Sequence, residues 1–327
     1  MARVVRKLVL HAGAHKTGTS TIQHALHQYR GVLLRESEIY YPDPAPWFGE
    51  SFVAHHIVAH AIATGEQLPK VEDFLSSVAR QPITERATTV LSSEVFYRQR
   101  LDGVEDEAEA RRMYLERLAG YLSPFDVTVL LVFRRRDAFA ESLYHELVSK
   151  GYAGSFDDSL AHAAGLLDYR AQLDAFAGSF ESVRTVDYED LRRDGLVEGF
   201  LGIVGGAVPP GYEEPWVRKS PDARLSLWMA KRNAEDASDD AVLQRRRFCR
   251  YPRTQDLFTG LDEVTIWQSD ADRRALLASY GDETPERELG DGRGPATLTA
   301  EMESKIDQAY AAHQVRARRR RQSAARA

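Results

Sequence analysis

One stretch limits the possible folds more than any other: residues 127–133 read Val-Thr-Val-Leu-Leu-Val-Phe, an almost unbroken apolar run. A run of strand length without a polar face is typical of a parallel strand that is covered on both sides. Shorter apolar, β-branched runs occur at residues 4–10, 88–91 and 183–186, and we predict a strand at each of them.

Helical patterns separate these runs. Strands that alternate with helices at this spacing predict a three-layer α/β/α fold with a central, mainly parallel sheet. Asp137 is a residue type that caps helices, and we expect it to begin the helix that follows the 127–133 strand. The predicted helices cover residues 19–29, 53–63, 71–79, 105–121, 137–150, 196–204, 225–232 and 299–315.

The composition is that of a globular protein. The chain has 327 residues, 43% of them hydrophobic and 28% charged, and we expect residues 1–315 to form one domain with a mostly helical C-terminal region from about residue 220. The net charge of −6 gives no electrostatic reason to bind nucleic acid. The single cysteine, Cys249, excludes an internal disulfide framework and a cysteine-cluster zinc site.

Nothing in the sequence predicts a membrane segment. It has no run of about 18 apolar residues, and the N-terminal apolar stretch, which Arg6 and Lys7 interrupt, is too short for a signal-peptide core. We therefore expect a cytoplasmic protein. Residues 316–327 carry six arginines and almost nothing apolar, which predicts a disordered, solvated tail, with contact to an anionic surface as the alternative.

The loop after the first strand carries the clearest functional motif. Residues 11–21 read His-Ala-Gly-Ala-His-Lys-Thr-Gly-Thr-Ser-Thr, between a predicted strand and a predicted helix. Gly13 and Gly18 let backbone amides approach an anion, and the helix N-terminus beyond Gly18 presents unpaired N–H groups. Lys16 adds a full positive charge, so the loop fits a bound phosphate or sulfate. Its hydroxyl donors are Thr17, Thr19, Ser20 and Thr21.

The position of the lysine separates this loop from the ATP- and GTP-binding P-loop, in which lysine directly follows the second glycine. Here Lys16 lies two residues before Gly18. The string Lys-Thr-Gly-Thr-Ser instead resembles the 5′-phosphosulfate loop of sulfotransferases that use 3′-phosphoadenosine 5′-phosphosulfate (PAPS). A helix start whose hydroxyls only cap their own helix is the alternative. The resemblance implies that the 5′-phosphate is bound by Lys16, which would contact the bridging oxygen, and by Thr17, Gly18, Thr19 and Ser20.

The same resemblance implies a 3′-phosphate site after a later strand. The family has an arginine at that strand end and a serine eight residues further on, and Arg134 and Ser142 have this spacing. The planar guanidinium of arginine suits bidentate binding of phosphate. The usual proline is missing, and a solvated run of three arginines is the alternative. Tyr188 resembles the family's adenine contact; Arg218 and Lys219 resemble its closing loop, or belong to an ordinary surface loop.

A base is needed for transfer to a hydroxyl, because an alcohol is a poor nucleophile until its proton is removed. Glu94 follows the 88–91 strand, and ligands of open α/β sheets lie beyond the carboxyl ends of strands. Related sulfotransferases use a glutamate or a histidine in this neighbourhood, which makes Glu94 the candidate. Capping of the next turn by Ser-Ser-Glu at 92–94 is one alternative. The rival bases are His15, His55, His56 and His60.

The resemblance covers residues 8–219 in family order and is strongest to the bacterial branch. It implies a PAPS-dependent sulfotransferase that leaves adenosine 3′,5′-bisphosphate (PAP), needs no metal, and acts on a hydroxyl of a carbohydrate, lipid or small metabolite. Lys16 and the loop amides would neutralise the leaving phosphate. One alternative is a P-loop kinase that uses magnesium-bound ATP. Another is a degenerate member that binds nucleotide without turnover.

Overall fold

The computed structural model describes residues 5–49, 54–214, 221–282 and 292–324. The chain divides into two compact units. The first combines Met1–Arg135 with Asp168–Val217, and the second combines Arg136–Leu167 with Arg218–Ala327. The single domain expected over residues 1–315 stays a prediction.

A five-stranded sheet forms the centre of the first unit, and every neighbouring pair of its strands is parallel. All four predicted strands are confirmed. A fifth, of only two residues, is too short to be recognised from its sequence. In sheet order the strands are β2 (Ile39–Tyr40), β3 (Thr88–Ser92), β1 (Arg6–His11), β4 (Phe125–Phe133) and β5 (Ser182–Asp187).

Helices cover both faces of this sheet, which confirms the predicted three-layer α/β/α arrangement. On one face, Leu26 and Phe200 from two helices share a buried core with Val90 and Leu130 of the sheet. On the other face, Phe133 stacks on Tyr169 with ring centroids 4.3 Å apart. The helices of the first unit are α1 (Thr19–Ser37), α2 (Ala45–Phe48), α3 (His56–Thr64), α4 (Leu68–Arg80), α5 (Val95–Arg98), α6 (Glu107–Leu122), α9 (Tyr169–Ala177), α10 (Tyr188–Leu191) and α11 (Leu196–Val204).

The second unit is mostly helical, with one pair of two-residue parallel strands, β6 (Val264–Thr265) and β7 (Gly294–Pro295). Its longest helix is the last one, Ala300–Ala324. The other helices among the described residues of this unit are α7 (Arg136–Ser149), α8 (Phe156–Leu167), α12 (Ala223–Glu235), α13 (Asp239–Cys249), α14 (Pro252–Gln255), a short 3₁₀ turn (Asp256–Phe258) and α15 (Asp270–Ser279).

Two features of the second unit differ from the sequence predictions. Asp137 lies inside α7 rather than at its cap, and its buried carboxylate accepts a 3.0 Å hydrogen bond from Nε of Arg273. A buried charge needs such a partner to offset its lost hydration. The last helix continues through Ala324, where a disordered tail is expected from residue 316, because arginine, alanine and glutamine are all good helix formers.

Across the four described ranges, no helix combines the length and the apolar character needed to cross a bilayer.

Candidate functional site

The loop between β1 and α1, residues 12–18, is fixed to the neighbouring strand β4. The backbone N–H of Ala12 donates to the carbonyl of Leu130 at 3.1 Å, and that of Ala14 donates to Val132 at 3.0 Å. The carboxyl ends of parallel strands lie at one edge of a sheet, where ligands of such folds bind. The predicted anion loop therefore lies at this edge, between the ends of β1 and β4.

Hydroxyl groups and unusual backbone angles shape the loop from within. The Thr17 hydroxyl donates to the carbonyl of Ala14 at 2.7 Å and lies 3.3 Å from the Thr19 hydroxyl. Lys16 and Gly18 both have left-handed backbone conformations, with φ of 65° and 71°. The first N–H groups of α1 have no acceptor within their helix. Together with the Lys16 ammonium they make the loop a positively charged region that suits an anion.

Gly18 cannot be replaced by a larger residue without rearrangement. A Cβ atom at this position would lie 2.2 Å from Cδ2 of Leu196, the first residue of α11. The left-handed φ of Gly18 also disfavours a side chain. Both the backbone angle and the close approach of the Leu196 side chain therefore favour glycine at the start of α1.

His11, the last residue of β1, lies directly beneath the loop. An added Cβ on Gly13 would be 3.1 Å from Nε2 of His11, 3.4 Å from the Thr19 hydroxyl and 3.5 Å from the Thr17 hydroxyl. Nε2 of His11 is buried, and no described residue gives it a hydrogen-bond partner. Burial lowers the pKa of His11 to about 4, so the imidazole is neutral at physiological pH. The imidazole of His11 and the hydroxyls of Thr17 and Thr19 thus surround the position that a side chain on Gly13 would occupy.

A chain of polar contacts runs from His11 to Glu94. Nδ1 of His11 lies 2.9 Å from Oγ of Ser92, at the end of β3. The side-chain amide nitrogen of Gln23 is 3.3 Å from both the Ser92 hydroxyl and the Ser92 carbonyl oxygen. The same nitrogen lies 3.4 Å from Oε2 of Glu94. Gln23 on α1 therefore connects the predicted anion loop with the predicted base.

The Glu94 carboxylate makes no capping bond to the helix it precedes, α5. The hydroxyl of Ser93 takes that role and accepts a 3.1 Å hydrogen bond from the N–H of Val95. Glu94 is partly exposed, and its negative charge, after burial, contributes to the raised pKa of Tyr41. The carboxylate is thus available for chemistry in a way that a capping residue is not.

The four rival histidines differ in their surroundings. His55 is fully buried, with Nε2 donating to the Pro42 carbonyl at 2.9 Å and Nδ1 accepting from the N–H of Ser92 at 3.1 Å. Both ring nitrogens of His55 are used, which makes it a structural link between β3 and the segment after β2. His56 is half-buried; burial lowers its pKa, and the charge of Glu94 opposes this. The remaining two are His15, which is buried, and His60, whose ring lies 6.2 Å from that of His56.

Arg134, just after β4, lies beside the predicted anion loop. Its Nη1 is 3.4 Å from the backbone carbonyl oxygen of Lys16, and its own carbonyl accepts a 2.7 Å hydrogen bond from the Tyr169 hydroxyl. The guanidinium lies over the ring of Tyr188 at 5.4 Å, and Arg192 lies over the same ring at 5.8 Å. Nε of Arg134 is buried without a hydrogen-bond partner among the described residues. Lys16, Arg134 and Tyr188 are thus brought together.

Ser142 of the predicted 3′-phosphate motif, and Arg136 of the same arginine run, belong to the second unit. Arg136 pairs there with Asp282 and donates to the Leu167 carbonyl at 2.7 Å. Ser142 is also in that unit, on α7; its hydroxyl is buried and has no partner in the described part of the chain. Its role at a phosphate stays a prediction. Arg218 and Lys219 lie outside the described residues.

Sequence reasoning missed the contacts of His11 and Gln23. A histidine that ends an apolar strand, and a glutamine beside Ile22 on the buried side of α1, are polar residues at core positions. Such residues need specific partners, which is the signal that could have identified them. Among the described residues, no group of three histidine, cysteine, aspartate or glutamate side chains is arranged to hold a metal ion.

Comparison with known proteins gives resemblance to solved structures alone. No family model matches the chain, and no curated protein matches it. Among solved structures, the chain is similar to a sulfotransferase from Alicyclobacillus acidocaldarius, at 20% sequence identity and a TM-score of 0.38. The alignment covers 73% of this chain and 95% of the other. This degree of similarity establishes neither a shared family nor a shared activity.

Proposed function

We propose that this chain is a cytoplasmic sulfotransferase that moves the sulfuryl group of PAPS to a hydroxyl of an acceptor. The observation that carries the proposal is the contact between Arg134 and the backbone of Lys16. It supports the idea that two basic motifs, which the resemblance assigns to the two ends of one nucleotide, belong to a single site. Neither motif alone would favour PAPS over another phosphorylated ligand.

The residues present fit such a donor. Lys16, the hydroxyls of Thr17, Thr19 and Ser20, and the first amides of α1 offer a positive, donor-rich region for the 5′-phosphosulfate. Nε of Arg134, buried without a partner among the described residues, is a donor that a phosphate oxygen could satisfy. A further group is Tyr188, whose ring lies beside two guanidinium groups and offers a flat surface to adenine. These groups would hold the donor in place.

The proposed reaction is an in-line displacement at sulfur. The acceptor oxygen forms a new bond to sulfur while the bond between sulfur and the bridging phosphate oxygen breaks. That oxygen leaves with the electron pair as part of PAP, and Lys16 stabilises its developing negative charge. Glu94 takes the proton of the acceptor hydroxyl. The described groups near Glu94 include Tyr41 and His56, which suit a neutral hydroxylated acceptor: a carbohydrate, a lipid or a small metabolite.

Calorimetric titration of the purified protein with PAP, in the absence of divalent metal, tests the proposal. We expect saturable binding that Arg134→Ala weakens at least tenfold, because a phosphate loses a charge-assisted hydrogen-bond donor. Arg80→Ala, at an exposed position of the same unit, is the matched control and leaves binding unchanged.

Two other results would contradict the proposal. Magnesium-dependent binding of ATP, without binding of PAP, would indicate a P-loop kinase. Normal PAP binding with no consumption of PAPS against a broad panel of hydroxylated acceptors would indicate a nucleotide-binding protein without turnover.

A further inference from the structure

The contacts around Ser92 determine which nitrogen of His11 carries the proton. The Ser92 carbonyl oxygen can only accept a hydrogen bond, so the Gln23 atom 3.3 Å from it is the amide nitrogen and donates. The same NH₂ group faces the Ser92 hydroxyl at 3.3 Å and Oε2 of Glu94 at 3.4 Å. An amide nitrogen donates and does not accept, so Gln23 cannot take the hydroxyl proton of Ser92.

Among the described residues, Nδ1 of His11 is then the one acceptor in reach of the Ser92 hydroxyl proton; an Nδ1–H donating to Ser92 would leave that proton unsatisfied. Nδ1 of His11 lies 2.9 Å from the Ser92 oxygen and is the acceptor of this proton. The imidazole is neutral, because burial lowers its pKa to about 4. A neutral imidazole carries a single proton, which is therefore on Nε2.

The Nε2–H donor of His11 is buried and unsatisfied by any described residue. A donor in this state destabilises a protein by about 1–3 kcal/mol, so one that persists needs an explanation. It lies 3.1 Å from the position of a Cβ added on Gly13, and the hydroxyls of Thr19 and Thr17 lie 3.4 and 3.5 Å from that same position. The Thr17 proton is already given to the Ala14 carbonyl. An oxyanion bound in the loop would satisfy the histidine donor.

We propose that His11 is a positioning residue that links the bound donor to the base. Its Nε2–H donates to the anion held by the loop, and the chain from His11 through Ser92 and Gln23 orients the Glu94 carboxylate. The identity of the anion rests on the proposed function. Occupation of the loop and alignment of the base are thereby coupled through neutral groups, without transfer of a proton along the chain.

The tautomer can be measured by NMR on the protein labelled with ¹⁵N-histidine, in the absence of any ligand. We expect the His11 pattern of an Nε2–H tautomer, and a mixture of tautomers in Ser92→Ala, which removes the donor to Nδ1. His24, on the exposed side of α1, is an internal reference. A His11 pattern of the Nδ1–H tautomer would overturn the inference, because Nε2 could then only accept.

Titration of the same labelled protein with PAP, and separately with inorganic sulfate, tests the anion contact. A shift of the His11 Nε2 resonance with both ligands supports the inference and the proposed function together. A shift with sulfate but no binding of PAP supports the inference and overturns the proposed donor. Binding of PAP without a shift at Nε2 overturns the inference and leaves the proposed function intact. If neither ligand binds, both are overturned.

Variants separate this role from a structural one. His11→Asn keeps a group near Ser92 but loses the distal donor, and we expect a roughly tenfold weaker affinity for PAP. His11→Gln restores an N–H donor near the Nε2 position and regains part of that affinity. The control is His145→Asn, which removes a buried ring of the second unit whose Nδ1 lies 2.6 Å from the Ser226 hydroxyl. It should lower the melting temperature without changing the affinity for PAP, whereas equal affinities in all three variants would overturn the inference.

Discussion

Nη1 of Arg134 lies 3.4 Å from the backbone carbonyl oxygen of Lys16, although 118 residues separate the two in the sequence. The contact follows from the topology of the sheet, because β1 and β4 are neighbouring parallel strands and both residues follow their carboxyl ends. Two motifs that are each ambiguous in sequence thus form one basic region.

Lys16→Ala should reduce sulfuryl transfer at least about 100-fold, because the leaving phosphate loses the charge that stabilises it. The measurement is kcat/KM with radiolabelled PAPS, and circular dichroism should confirm an unchanged fold. Lys70→Ala removes an exposed lysine of the same unit and is the matched control. Retention of most activity in Lys16→Ala would refute the assignment of the loop.

Glu94→Gln should lower kcat by a factor of about 10²–10⁴, the usual contribution of a general base, while the affinity for PAP stays within twofold. The amide keeps the size of the side chain and can still contact Gln23, so folding should be preserved. Glu105→Gln, at an exposed position, should change neither quantity. A variant that unfolds would assign Glu94 a structural role instead.

Gly18→Ala should be more destabilising than Gly65→Ala, measured as the free energy of unfolding in urea. Both glycines have a left-handed backbone, with φ of 71° and 76°, so an alanine is strained by about 1–2 kcal/mol at either position. Only at Gly18 does the new methyl group meet another atom, Cδ2 of Leu196 at 2.2 Å; Gly65 has open space. Equal losses of stability in the two variants would show that the Leu196 side chain moves aside at no cost in the free energy of unfolding.

Stability should fall as the pH is lowered from about 6.5 to about 4. Burial lowers the pKa of His11 and of His55 to about 4, whereas an unfolded histidine titrates near 6.5. Between these values the unfolded chain binds more protons than the folded one, so each histidine removes up to about 3 kcal/mol of stability by pH 4. Above pH 6.5 this contribution is fully present.

Urea unfolding at pH 7 and pH 5 provides the measurement. His11→Asn should show a smaller difference between the two pH values than the unaltered protein, because one of the two buried rings is gone. If both proteins lose the same free energy of unfolding between pH 7 and pH 5, His11 is hydrated in the folded state.

The elements that the sequence predicts best are those with a strong local signal. The apolar run 127–133 lies within β4, and the predicted helix 196–204 matches α11. β2 could not be predicted, since two residues carry no periodicity. Asp137 looks like a cap in isolation, but its partner Arg273 is 136 residues away, and such pairing leaves no local trace.

The residues of the candidate site also fall into two groups: those that a local sequence motif reveals and those that it does not. Lys16 and Arg134 belong to short motifs that can be recognised along the chain. The link from His11 to Glu94 depends on Ser92 and Gln23, which meet only after three separate elements pack, and sequence spacing contains no information on those distances. Side chains that act through other side chains are therefore found from coordinates rather than from motifs.

The left-handed backbone of Lys16 has a consequence for the protein without ligand. A residue with a side chain is less stable in this conformation than glycine, by roughly 1–2 kcal/mol. Replacement of Lys16 by glycine would thus remove this backbone strain and raise the melting temperature. It would also remove the ammonium group. A sequence optimised for folding alone would not have a lysine here, so stability and the proposed activity make opposite demands on one position.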